Sequence, residues 1–177
     1  MFDYRNHFAR YRKEQQIDLA LSFNMPAGYE TANGTFDAES KTVFVNAEQL
    51  KEAPDYEKAF YLFHELRHAS QYLCPDRFSR EIARSIQYVI LYDGTCFRMI
   101  NGKYRECRLE GSEEYLANLY LGQPHEIDAN TYAYEQAGKI CGESEGLRKL
   151  YEFWIPRQPV LSTLYDSVYD EIDEKTQ

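Results

Sequence analysis

His64-Glu65-Leu66-Arg67-His68 places two histidines four residues apart with a glutamate beside the first, and these are the residues of the chain whose types and spacing can do chemistry together. Four residues advance an α-helix by about 400°, which leaves the two imidazoles about 40° apart in azimuth and one turn apart along the axis. Both can therefore reach one metal ion. Glu65 cannot bind the ion in the same geometry, but it can touch a water there. Hydrolysis of an amide needs this arrangement: zinc acidifies water and polarises the carbonyl, while a carboxylate takes the water's proton and delivers it to the leaving amine. The pattern predicts one Zn2+ per chain, with His64 and His68 as ligands and Glu65 as general base.

A catalytic zinc site normally has three protein ligands and an open position. The longer metzincin pattern fails here, because Gln71 stands in place of its glycine and Cys74 in place of its third histidine. A carboxylate is therefore required. Glu81 is close in sequence, but the Cys74-Pro75 break separates it from the helix. Glu126 is better placed, in the first turn of a helix opened by Pro124 and followed by a seam of small residues, Ala129, Ala133 and Ala137, that allows another helix to approach. Asp128 and Asn130 lie near that face and can orient His64 or His68 through the other ring nitrogen. His125 is a candidate fourth ligand or proton donor, although it should point about 100° away from Glu126. Tyr115, Tyr132 and Tyr134 can donate to an oxyanion or simply pack.

These side chains must be held by elements. Asp55 follows Pro54 and precedes an uninterrupted stretch to Cys74, so it is expected to cap a helix of about five turns. Ala59, Phe63, Leu66, Ser70 and Leu73 form its core face at helical spacing, and Phe60, His64, His68 and Gln71 fall on another. Upstream, Ile17 to Phe23 alternates like a strand with one buried face, and Thr31–Asp37 and Thr42–Asn46 form a hairpin around Ala38-Glu39-Ser40-Lys41. Asn46 is expected to cap a short helix through Leu50. Downstream, residues 79–87 read as helix, and the segment 88–111 as strands separated by Asp93-Gly94 and Asn101-Gly102. Helices are expected over Glu113–Leu121, from Pro124 to about Ala137 with Gly138 as terminator, over Glu145–Phe153, and over Ser162–Asp173. Arg5, Arg10, Arg12 and Lys13 read as a solvated helix face.

The expected class is α+β: one domain over 1–177 with its core at about 17–138 and C-terminal helices within 145–175. A small antiparallel or mixed sheet should pack on the H-E-x-x-H helix. At 177 residues, with 44% hydrophobic and 28% charged residues, the chain is of ordinary globular composition and length for one core. Its net charge of −9 argues against binding to nucleic-acid backbones. No apolar run approaches the roughly 20 residues of a membrane span, and the start lacks the apolar segment of a secretory signal, so the expected compartment is the cytoplasm. Cys74, Cys96, Cys107 and Cys141 contain no C-x-x-C pair and read as thiols.

The order of a hairpin, the segment FHELRHASQ and then PHEIDANTYA resembles the zinc-peptidase domain of the ImmA/IrrE-type family over roughly residues 30–137. That resemblance implies a gluzincin-like fold with His64, His68 and Glu126 as zinc ligands, Glu65 as general base and Ala129-Asn130 as the rest of the second motif. The two motifs are separated here by about 57 residues that carry an apparent inserted hairpin. Such domains are often encoded on phages and mobile elements, and some members cleave a repressor. The expected function is thus a zinc metallopeptidase acting on a protein or peptide, with a repressor-like protein among the candidate substrates. A zincin-fold binding module with structural zinc is the alternative, and a metal-free interaction protein the third reading. Thr42 to Val45 is expected to be an open sheet edge on which a peptide docks as an added strand.

Overall fold

The computed structural model describes residues 1–177. In chain order its elements are α1 (Tyr4–Gln15), β1 (Ala20–Ser22), β2 (Gly34–Asp37), β3 (Thr42–Val45), α2 (Asp55–Leu73), a single 3-10 turn (Pro75–Arg77), α3 (Arg80–Ser85), β4 (Tyr88–Ile90), β5 (Thr95–Ile100), β6 (Lys103–Arg108), α4 (Glu113–Leu121), α5 (Pro124–Cys141), α6 (Glu145–Phe153) and α7 (Ser162–Thr176). The class is α+β, as the sequence implies. Contacts divide the chain into two compact units: Met1–Arg77 with Asp128–Phe153, and Phe78–Ile127 with Trp154–Gln177. No helix is long and apolar enough to cross a membrane.

In the first unit, α2 packs against β2 and β3 of a three-stranded mixed sheet. The hairpin of β2 and β3 forms at the expected place, and the Asp37 carboxylate holds its turn by accepting from the amides of Glu39 and Ser40 at 3.2 and 3.1 Å. Thr42–Val45 is not an edge. The strand order is β1-β3-β2, with β1 entering parallel beside β3, Ala20 opposite Thr42, so β3 has neighbours on both sides and the docking edge expected there does not exist. Only three residues of the expected strand Ile17–Phe23 are β. Gln16, left-handed at φ 54°, caps α1 immediately before them, and Ile17 and Leu19 are buried as the chain leaves that cap.

Helix α2 begins one residue away from the expected arrangement. Pro54, extended and fixed in φ, is the N-cap, and Asp55 is the first helical residue, its carboxylate accepting from the Phe2 amide at 3.2 Å. Nor is there a single core face: Phe60, Leu62, Glu65, His68 and Gln71 are buried along with Ala59, Phe63 and Leu66. The helix expected at 46–50 is only a turn. Asn46 does cap it, accepting from the Gln49 amide at 3.2 Å, but its amide group also donates to the carbonyls of Glu30 and Ala32, and the turns beyond it, Lys51 N to Glu48 O and Ala53 N to Leu50 O, do not join into a helix. Gly138 does not end α5. The helix continues to Cys141 and stops at Gly142, whose φ of +83° suits glycine and whose N–H reaches the Gly138 carbonyl at 2.9 Å. Ala129, Ala133 and Ala137 form a fully buried seam along it.

The second unit holds an antiparallel meander, β4-β5-β6. Asn101 and Gly102, both at positive φ, make the two-residue turn between β5 and β6 that their sequence signals. Its core gathers Tyr88, Ile90, Leu116, Leu119, Tyr169 and Ile172. Tyr88 and Tyr169 stack at 4.2 Å, with the Arg98 guanidinium over one ring and that of Arg84 over the other. The buried Gln123 amide accepts from Ile90 N at 3.0 Å and donates to Ile90 O at 2.8 Å, in the manner of a neighbouring strand.

Candidate metal centre

His64, Glu65 and His68 occupy consecutive turns of α2, held there by a helix without glycine or proline whose buried flank includes Phe60, Leu62 and Leu66. The two imidazoles face each other, Nε2 to Nε2 at 2.9 Å, with ring planes at 89°. Helix α5 brings the third group. Glu126 sits in its first turn, two residues before Asp128 on the same continuous helix, and Asp128 is bonded to α2 through Arg67 and Gln71. One ligand atom each from His64, His68 and Glu126 lies within 4.8 Å of the others. His68 and Glu126 are buried and His64 half-buried.

The donor set is consistent with a metal. Two nitrogens at 2.0–2.1 Å from one tetrahedral zinc stand about 3.3 Å apart, close to the separation of the imidazoles. Imidazole and carboxylate together suit zinc, though the same donors serve other transition ions. The group can hold a metal ion.

Glu65 is buried and lies against the start of β2. A Cβ placed on Gly34 would stand 2.8 Å from Glu65 Cγ and 3.2 Å from its Oε1, so the absent side chain is the space the carboxylate uses. Nothing in the sequence pointed to Gly34; its distance from the motif hid it.

The other candidates fall outside this group. Glu81 is exposed on α3. His125 is buried, but its ring and backbone nitrogens meet Ser85 Oγ at 3.0 and 3.1 Å, and its Nε2 lies 3.6 Å from Glu126 Oε1. Asp128 reaches neither histidine ring. It accepts a two-pronged pair of bonds from Arg67, 2.7 and 2.9 Å, and another from Gln71 at 2.8 Å. Burial works against the Arg67 charge, but Asp128 outweighs it and holds the guanidinium protonated more firmly than usual. Asn130 is buried on the same helix. Tyr132 packs beneath Arg67 at 4.6 Å, and burial pushes its hydroxyl up despite the opposing Arg67 charge. Tyr134 donates to Glu143 at 2.7 Å, and Tyr115 is exposed on α4. Sequence reasoning placed Gln71 on the histidine face but gave it no role, whereas its amide meets His68 Nδ1 at 2.8 Å. No protein-family model, no curated protein and no solved structure matches this chain.

Proposed function

We propose that the protein is a zinc-dependent metallopeptidase. The observation that carries the reading is the convergence of His64, His68 and Glu126 from two helices, with the buried Glu65 carboxylate next to the first of them. A purely structural site has no use for that carboxylate. The resemblance of the two motifs to ImmA/IrrE-type peptidases supports it. A zinc ion held by the three ligands would polarise the scissile carbonyl and acidify water. Glu65 accepts the proton of the attacking water and returns it to the leaving amine. Main-chain binding of the substrate falls to β2, an edge strand whose first residue, Gly34, lies against Glu65. An extended peptide can add there as a further strand. The substrate class is a protein or peptide, and a repressor-like protein is the first to try.

Elemental analysis tests the metal, with one zinc per chain expected, His64→Ala abolishing it and Glu126→Ala weakening it strongly. Glu65→Gln tests the chemistry. It should keep the zinc and the fold and lose about 10²–10⁴-fold in turnover, since the amide keeps the shape but accepts no proton. Wild-type turnover by Glu65→Gln with zinc in place would return the site to the alternative of a binding module with structural zinc.

A further inference from the structure

Three side chains behind the metal-binding group form one chain of hydrogen bonds that ends on His68 of the group itself. Arg67 Nε and Nη2 donate to the two oxygens of Asp128, Gln71 Nε2 lies 2.8 Å from Asp128 Oδ2, and Gln71 Oε1 lies 2.8 Å from His68 Nδ1. Chemistry fixes every direction in it. Both oxygens of Asp128 accept from Arg67, and Oδ2 is shared with the Gln71 amide, so that amide must present its NH2 group to Asp128. Its oxygen is then the atom facing His68, and an amide oxygen also only accepts. Nδ1 of His68 must therefore carry the proton, which leaves the lone pair on Nε2, the atom that faces His64 Nε2. Gln71 is fully buried, so no water competes for either end of its amide.

We infer that Gln71 is a positioning residue that locks His68 in the Nδ1–H tautomer, with Asp128 and Arg67 setting the direction of its amide. This inference rests on the metallopeptidase reading for its purpose but not for its chemistry, because the lock is complete in the metal-free protein. Imidazole free in water favours the opposite tautomer, so an unlocked His68 would have to exchange its proton before it could bind metal through Nε2. Asp128 thus acts on the histidine at one remove. Asp128 alone, moved by Asp128→Asn, should loosen the amide's direction without removing it.

Long-range 15N–1H spectra of histidine-labelled, metal-free protein at about pH 8, above the usual imidazole range, read the tautomer directly. His68 of the wild type should be protonated at Nδ1. Gln71→Met, which keeps the bulk and removes the acceptor, should shift His68 toward Nε2–H and weaken zinc about 10–100-fold in competition with a chromophoric chelator. Gln71→Glu, which keeps the acceptor, should retain the tautomer and recover most of that affinity. Should Gln71→Met fail to fold, the wild-type spectrum and Asp128→Asn, expected to show a mixture of tautomers, decide alone. An Nε2–H wild-type His68 overturns the inference, as does unchanged zinc affinity in folded Gln71→Met. A wild type that shows the lock but binds no zinc supports the inference and overturns the metallopeptidase reading instead.

Discussion

At the scale of single residues, the most exacting position is Gly34. An added methyl would meet the Phe44 carbonyl oxygen at 3.1 Å as well as Glu65 Cγ at 2.8 Å, so strand and carboxylate cannot both keep their places. If the protein is the zinc peptidase proposed above, Gly34→Ala should leave zinc content unchanged while lowering turnover about 100-fold, the usual cost of misplacing a reacting group by about 1 Å. Parallel metal analysis and rate measurement check it, and full activity in the alanine variant would show that Glu65 has room to move. At this scale the sequence was legible where chemistry forced a spacing. His64, Glu65 and His68 announce themselves because a helix repeats every 3.6 residues, and Glu126 because a helix start and an alanine seam frame it. Gly34 and Arg67 were silent, since their roles depend on partners about 30 and 60 residues away in the chain.

Elements were read well where local signals are strong. The α2 stretch, the Asn101-Gly102 turn and the α4 helix all depend on neighbours within a turn, and they stand close to where those signals put them. The place of Thr42–Val45 in its sheet was not legible, because it is set by the parallel pairing with β1, about 20 residues upstream, and no local residue encodes that. Gln123 shows the same limit in another form: a side chain substitutes for a strand at Ile90, both of whose backbone polar groups it satisfies. Replacing it with leucine would strand two buried groups, each costing about 1–3 kcal/mol. Gln123→Leu should therefore lower the unfolding free energy of its unit by about 2–6 kcal/mol and speed hydrogen exchange at the Ile90 amide. Unchanged exchange there would mean that another group takes over the bond.

For the whole molecule, buried weak acids set the response to alkali. Burial, with Cys107 adding to it, pushes the Cys96 thiol up to about 12 from an ordinary 9.0. Burial, with Asp55 and Glu57 adding to it, pushes Tyr4 up to about 12, and burial raises Tyr11, Tyr165 and Tyr169 well above the usual phenol range. The fold favours the neutral forms, so this stabilisation is complete below the unfolded values of 9.0 for the thiol and 10.0 for the phenols, and is lost as pH rises toward the folded ones. Urea midpoints should stay level to about pH 8.5 and fall above it. A midpoint flat to about pH 11 would show that these groups titrate alike in both states. The division of the chain also bears on its synthesis. Each unit is built from two segments separated in sequence by the other, so a ribosome releasing the chain from its N-terminus finishes neither early. His68 emerges sixty residues before Asp128, which at about 5–20 residues per second is a wait of roughly 3–12 s. For that interval the growing chain has two histidines able to capture an ion, without the glutamate that completes the set or the carboxylate that orients Gln71. Chaperones and the metal supply of the cell meet the protein in that half-finished form before they meet the folded one.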